Sequence, residues 1–395
     1  MHEIWGMAAL WIGLALIATL FSIWFRIATA LSEIVVGTVA QLIIGAFIGA
    51  SLGADAPWIK FLSGTGAIVL TFLAGTELDP VVFKAKLGEV TFIGFISFLA
   101  PFLGCTAAAY YILDWTVMAS WLAGVALSTT SVAVVYAVML ELGLNKTDFG
   151  KAVLAACFIT DLGTVLALGL IFAPFSLKTL IFVGISAVVL FILPSLTPWF
   201  FKKYGDRPSE LEAKYLLFFL FGLGSLAVWS ESEAVLPAYI IGMVLAGSVG
   251  KDHVLIRRLR TLTFGFLTPF YFIRAGSYVS IQAVLSSPYA IFVLFCGKML
   301  TKVVGVYPAT KICKYAQKEG IYTTLLMSTG LTFGSISALF GLSHNIIDQQ
   351  QYSVLVFVVI GSAVVPTLIA NAFFIPHYLL PTKDRKLSGE NVSRQ

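Results

Sequence analysis

The stretch Gly150-Lys151-Ala152-Val153-Leu154-Ala155-Ala156-Cys157-Phe158-Ile159-Thr160-Asp161-Leu162-Gly163-Thr164-Val165-Leu166 decides how the chain is read. It is a continuous apolar run with one acid near its middle. Crossing a bilayer as a helix takes roughly 20 apolar residues. A continuous run fits a helix, whereas a barrel strand would alternate. A carboxylate at mid-membrane is costly unless it meets water, a cation or a base. Of the 20 acidic residues, Asp161 alone sits deep in a predicted span.

Outward from this stretch the same texture repeats. Thirteen apolar segments run approximately 5–25, 33–51, 60–76, 88–112, 116–140, 150–173, 179–201, 214–230, 234–248, 261–276, 285–308, 321–342 and 351–380. Hydrophobic residues make up 59% of the 395 and charged residues 11%, too few charges to cover a soluble surface. Soluble domains are about a quarter charged. Met1 to Phe25 lacks a basic start, because Glu3 is the only charge before Arg26, so it reads as a retained first helix. The fold class expected is an all-α polytopic membrane protein of about 13 transmembrane helices.

Lysine and arginine set the orientation. With the N-terminus outside, 20 basic residues fall in inside loops and the C-terminal tail, against only Lys60 and Lys178 outside. The net charge of +5 is this bias and not a nucleic-acid surface. The expected location is a bacterial inner membrane, with the C-terminus cytoplasmic. Arg274, Lys298 and Lys302 fall inside predicted helices or near their ends.

Thirteen helices divide as six, one and six, which makes the two sets of six run in opposite directions. That is the inverted-repeat plan of many secondary transporters. The fifth helix of each set carries a polar interruption, Ser128-Thr129-Thr130-Ser131 in the first and Ser328-Thr329-Gly330-Leu331-Thr332-Phe333-Gly334-Ser335 in the second. One hydroxyl cluster is often just bonded back to its own carbonyls. Two in corresponding positions point to a binding site, with Thr129, Thr130 and Ser131 expected to be unwound beside Asp161.

Taken in order along the chain, several segments resemble the monovalent cation:proton antiporters, the superfamily of bacterial sodium–proton and potassium-efflux antiporters. They are Leu31-Ser32-Glu33-Ile34-Val35-Val36-Gly37, Phe72-Leu73-Ala74-Gly75-Thr76-Glu77-Leu78-Asp79, Ala126-Leu127-Ser128-Thr129-Thr130-Ser131-Val132-Ala133, Glu141-Leu142-Gly143-Leu144, the helix through Asp161, Pro237-Ala238-Tyr239-Ile240-Ile241-Gly242, and Gly297-Lys298. The resemblance implies a homodimer working by an elevator-like movement. A core would span 88–173 and 285–380, and a dimerisation-type domain 1–76 and 214–276. Segment 179–201 would link them, and 381–395 would be a cytoplasmic tail. Sodium or potassium would exchange for protons at Asp161.

Departures from the family pattern matter. Electrogenic relatives carry Asp-Asp, electroneutral ones often Asn-Asp and potassium-efflux ones Gln-Asp, where this chain has Thr160-Asp161. Thr160 either coordinates an ion or orients Asp161. Many relatives have Arg-Gly-Glu where this chain has Gly330-Leu331-Thr332, which leaves Thr332 as the oxygen donor there. Lys298 aligns with the family's core cation, and Asp161 is its expected carboxylate partner. For Arg274 two readings stand, an outer-interface anchor or a group facing the ion path. Glu231 and Glu233 form either a cation-attracting funnel or a solvated loop.

Cys105, Cys157, Cys296 and Cys313 read as packing residues, since no CxxC pair occurs, and the four histidines are scattered. The absence of Walker and GxGxxG motifs argues against an ATP-driven machine, and no cofactor is expected. The chain is read as a transporter rather than an enzyme. The competing classes are a sodium-coupled solute symporter, an ion channel, or a membrane scaffold, and the last leaves Asp161 and Lys298 without a role.

Overall fold

The computed structural model describes residues 2–25, 27–48, 51–77, 80–172, 176–205, 209–230, 232 and 234–379. Arg26, Leu78, Asp79, Arg207, Glu231, Glu233 and the 381–395 tail therefore lie outside the described residues. The helices are α1 (His2–Phe25), α2 (Thr29–Ile48), α3 (Pro57–Thr76), α4 (Pro80–Ala85), α5 (Leu87–Tyr111), α6 (Val117–Ser128), α7 (Val132–Glu141), α8 (Asp148–Phe172), α9 (Leu177–Tyr204), α10 (Leu211–Trp229), α11 (Val235–Leu245), α12 (His253–Leu262), α13 (Thr268–Ser277), α14 (Ile281–Ser286), α15 (Pro288–Ile312), α16 (Gln317–Met327), α17 (Thr332–Ser343) and α18 (Gln349–Phe373). No strand occurs among the described residues. Backbone polar groups in hydrocarbon need partners within their own segment, which helices supply.

Among the described residues, nine helices are long and apolar enough to cross a bilayer, counting Gln317–Ser343 through its break. The thirteen segments expected from sequence exceed this count at places with a physical cause. α2, α6 and α11 present shorter apolar runs. α12 and α13 are separated by a π-helical turn at Thr263–Leu267, and α12 carries Arg257, Arg258 and Arg260. α4 and α14 are single short turns in connections that the apolar pattern leaves silent.

Three apolar clusters hold the helices together. The largest joins α5 to α8 with α15 to α18. A second packs α3 against α9, α10, α11 and α12, and a third packs α1, α2, α3 and α13. Small residues permit close backbone contact between α3 and α11. A Cβ on Gly242 would lie 2.2 Å from the Phe72 carbonyl, and one on Gly75 would lie 2.5 Å from the Tyr239 carbonyl. With no hydrophobic drive between helices in lipid, such backbone approach is a main source of helix association. The lipid side is apolar instead. On α9, Leu177, Leu180, Val188 and Phe191 are exposed. The largest cluster carries the polar residues of interest, and it places both broken helices at its centre.

Candidate ion site at the crossing of two broken helices

α6 stops at Ser128, and Thr129 turns extended (φ −60°, ψ 153°) before α7 restarts at Val132. Local chemistry explains the stop. Ser128 Oγ donates to the Val125 carbonyl at 2.8 Å, competing with the ladder, and two β-branched threonines follow. α16 ends the same way at Met327. Ser328 Oγ donates to the Thr324 carbonyl and Thr329 Oγ1 to the Leu326 carbonyl, each at 2.7 Å. The chain passes Gly330 and Leu331 before α17 opens at Thr332.

The two breaks satisfy each other. The Ser131 N–H donates to the Thr329 carbonyl at 3.1 Å, and Thr130 Oγ1 donates to the Met327 carbonyl at 2.8 Å. Two helix C-termini and two N-termini therefore meet inside the largest cluster. Helix ends carry partial charge, negative at the C-terminus and positive at the N-terminus. The charged side chains follow that pattern.

Asp161 of α8 is 2% exposed, and its Oδ1 has no hydrogen-bond partner. The Thr130 peptide N–H, just before the start of α7, lies close enough to act on this carboxylate. Lys302 of α15 is fully buried. Its Nζ donates to Ser97 Oγ at 2.9 Å, the Ser128 carbonyl at 3.0 Å and Thr130 Oγ1 at 3.1 Å, using all three donors. Lys302 thus caps the C-terminus of α6, and it is the cation whose field reaches Asp161.

Lys298 does not pair with Asp161. It sits one turn earlier on α15, with Nζ donating to Ser362 Oγ at 2.9 Å. Ser362 Oγ in turn donates to the Val359 carbonyl at 2.8 Å. The expected Lys298–Asp161 pair is replaced by two lysines four residues apart, one at each break. Gly330 is the reason Lys298 fits: a Cβ there would stand 2.3 Å from Lys298 Nζ and 2.8 Å from Thr129 Oγ1. Gly330→Ala is expected to push Lys298 off Ser362. We expect a cost of about 1–3 kcal/mol for this overpacking, with slowed transport in a protein that still purifies folded. A melting curve and a vesicle assay on the same preparation check it; unchanged values for both would remove Lys298 from the site.

The other expected residues divide. Thr129 and Ser131 are buried in the first break beside Thr130. Thr160 faces away, its Oγ1 lying 3.1 Å from both the Gly94 and the Ala156 carbonyls, so it ties α8 to α5. Thr332 opens α17 half-buried, and its carbonyl accepts from Ser335 Oγ at 3.0 Å. Four neighbours escaped the sequence reading. Thr164 Oγ1 lies 3.2 Å from Ser128 Oγ, Ser97 and Ser362 hold the lysines, and Tyr239 of α11 donates from its hydroxyl to the Phe158 carbonyl at 3.1 Å. The four-residue spacing Lys298–Lys302 places both lysines on one helix face, a signal available from sequence. Single serines in apolar helices give none.

A cavity flanks each break. Beyond the first, about 220 Å³ is lined by Ile27, Leu31, Val134, Val138, Thr367 and Asn371. Beyond the second, about 180 Å³ is lined by Lys60, Ser63, Tyr271, Arg274, Phe340 and His344. Arg274 is anchored at the rim of the latter. Its Nε donates to the Ala54 carbonyl at 3.0 Å and one terminal nitrogen to the Tyr278 hydroxyl at 3.1 Å. Tyr278 donates on to Asp55, which Lys60 also contacts at 2.9 Å. The Lys60 ammonium holds the Asp55 carboxyl below its usual range. This tie is present above the ordinary carboxylate pKa and is lost only as pH falls through the lowered value.

The family profile described as sodium/hydrogen exchanger, transmembrane, matches residues 12–375. A probable Na(+)/H(+) antiporter of Methanocaldococcus jannaschii is 24% identical over 351 residues, covering 85% of this chain and 89% of its own length. A Na(+)/H(+) antiporter of Enterococcus hirae is 26% identical over 354 residues, covering 85% and 91%. Among solved structures, that of a sodium proton antiporter from M. jannaschii at pH 8 superposes with a TM-score of 0.69 at 15% identity. The match covers 93% of this chain and 95% of that one, and it supports the fold. The profile spans the broken helices, Asp161 and both buried lysines, and the chain belongs to the sodium/hydrogen exchanger transmembrane family.

Proposed function

We propose that the chain is a secondary antiporter exchanging a monovalent cation, sodium or potassium, for protons, with Asp161 as the carrier of both. The single observation that supports this is the buried, unpartnered Oδ1 of Asp161 where two broken helices meet. An orphaned carboxylate oxygen at that depth is costly unless a proton or a cation takes it. Hydroxyls and carbonyls of Thr129, Thr130 and Ser131 stand ready to replace part of an ion's hydration shell. Thr332 is the candidate donor from the second break, and Thr160 orients α8 rather than the ion.

The two cavities support alternating access. Each lies between α2, or α3 with α13, on one side and α7 with α18, or α17, on the other. We assign residues 88–173 and 285–380 to a moving core and 1–76 and 214–276 to a dimerisation-type panel, with 179–201 as linker and 381–395 as tail. The core rises and falls against the panel, and two chains pair through their panels. The first cavity opens inward to the cytoplasm and the second outward. Tyr239, bonded to the Phe158 carbonyl and edge-on to Phe333 at 5.4 Å, is one panel contact that each stroke breaks.

Reconstituted protein in vesicles with an imposed pH gradient tests the assignment, run with sodium, potassium and lithium in turn. Cation-dependent proton release supports it, whereas organic-solute uptake or uncoupled current overturns it in favour of a symporter or a channel. Sodium is the slightly preferred ion, in keeping with the names of both relatives. Equal apparent affinities for sodium and potassium would remove that preference.

One proton per cation is expected. Asp161 alone gains or loses charge when the two ions swap, so the loaded and protonated sites match. Lysines that stay charged throughout the cycle add nothing to the stoichiometry. Transport should therefore ignore an imposed membrane potential. A rate that follows the potential in wild type, and stops doing so in Lys298→Gln or Lys302→Gln, identifies a second proton carrier and overturns the one-to-one exchange.

A further inference from the structure

Cys157 and Asp161 stand four residues apart on α8, which puts both on one helix face. Cys157 is fully buried, and its Sγ lies 3.5 Å from Met327 Sδ, also fully buried. Met327 is the last residue of α16, and its carbonyl accepts the Thr130 hydroxyl. A thiol and a thioether from different helices therefore meet at the crossing, and Asp161, whose Oδ1 is unpartnered, stands one turn further along α8. Packing alone would be met by two aliphatic side chains. A sulfur pair adds polarizable donors.

We propose that Cys157 and Met327 form a soft-donor subsite for thiophilic monovalent cations, silver(I) and copper(I), with Asp161 as the oxygen neighbour. Thiolate and thioether ligands select such ions over sodium or potassium, whose preferred donors are hard oxygens. Access rests on the exchange proposed above, because a path admitting one monovalent cation to Asp161 delivers another of the same charge. On binding, the metal replaces the Cys157 thiol proton, Met327 Sδ donates a lone pair, and one proton leaves per ion with no change of oxidation state. The bound ion then bridges α8 to the end of α16, pins the crossing and stops exchange.

The test uses the full chain carrying Cys105→Ala, Cys296→Ala and Cys313→Ala, titrated with silver nitrate in chloride-free buffer. One silver and one released proton per chain are expected. Changes that merely surround a metal ligand cost about 10–100-fold in affinity, so Met327→Leu should weaken binding at least that much, and Cys157→Ser should abolish it. Silver held equally well by Met327→Leu overturns the subsite and leaves a plain thiol. X-ray absorption of the copper(I)-loaded parent reads the donor set without any further variant: two sulfurs support the subsite and one overturns it. Binding is read without transport, so a chain that holds silver but moves no sodium overturns the exchange and leaves this subsite standing.

Discussion

Asp161→Asn, reconstituted in vesicles, is expected to release no protons when sodium or potassium is added, its signal falling to that of empty vesicles. Asparagine keeps the shape and one oxygen acceptor. It can neither bind nor release a proton, and it offers the cation no charge. The fold should not suffer, because the substitution removes the cost of a carboxylate buried where Oδ1 has no partner. We expect a melting temperature equal to wild type or higher. Loss of transport with stability kept separates a carrier from a structural acid. Exchange at the wild-type rate in Asp161→Asn would falsify the assignment.

Lys302→Met is expected to have the second-largest effect, and of a different kind. Its ammonium satisfies Ser97 Oγ, the Ser128 carbonyl and Thr130 Oγ1 together. Thr130 retains its bond to the Met327 carbonyl, but Ser97 Oγ and the Ser128 carbonyl lose the lysine in a buried place. Each such loss costs about 1–3 kcal/mol, so a total of about 2–6 kcal/mol is expected. Lys298→Met should cost less, because Ser362 keeps its bond to the Val359 carbonyl. Folded fraction after heating, followed by size-exclusion chromatography in detergent, ranks the two. If Lys298→Met proves the more damaging, Lys302 is not the cap of α6. Transport should fail in Lys302→Met even at temperatures where it stays folded, because the first break loses its counter-charge.

Much of this architecture is legible in the amino-acid sequence. Spans are written as apolar runs, because lipid imposes its thickness on sequence. The breaks were legible because hydroxyls and Gly330 interrupt otherwise uniform helices. Asp161 stood out because acids are rare at that depth. What failed was direction around a helix. α15 is apolar on nearly all sides, so nothing in its pattern distinguished Lys298 from Lys302, and the motif Gly297-Lys298 drew attention to the former. Thr160 sits beside Asp161 in sequence, but adjacent residues of a helix are about 100° apart. Its hydroxyl accordingly faces Gly94 on α5. Arg274 stayed undecided because its partner, the Ala54 carbonyl, is 220 residues away in the chain.

The mutual bonding of the breaks bears on how the protein is made. Thr130 and Ser131 emerge from the ribosome nearly 200 residues before Met327 and Thr329, the partners that satisfy them. During that interval the first half of the chain sits in the membrane without the groups that satisfy its break, where no water relieves an open backbone. Either a chaperoning surface at the insertion machinery covers that gap, or α6 and α7 wait as one continuous helix and separate when α16 arrives. The halves expressed as two chains divided between Gly205 and Ser209 distinguish these routes. If the N-terminal half inserts alone and becomes protease-resistant only when the C-terminal half is added, the site is born at the end of synthesis, and slowing translation of the second half should raise degradation of the first.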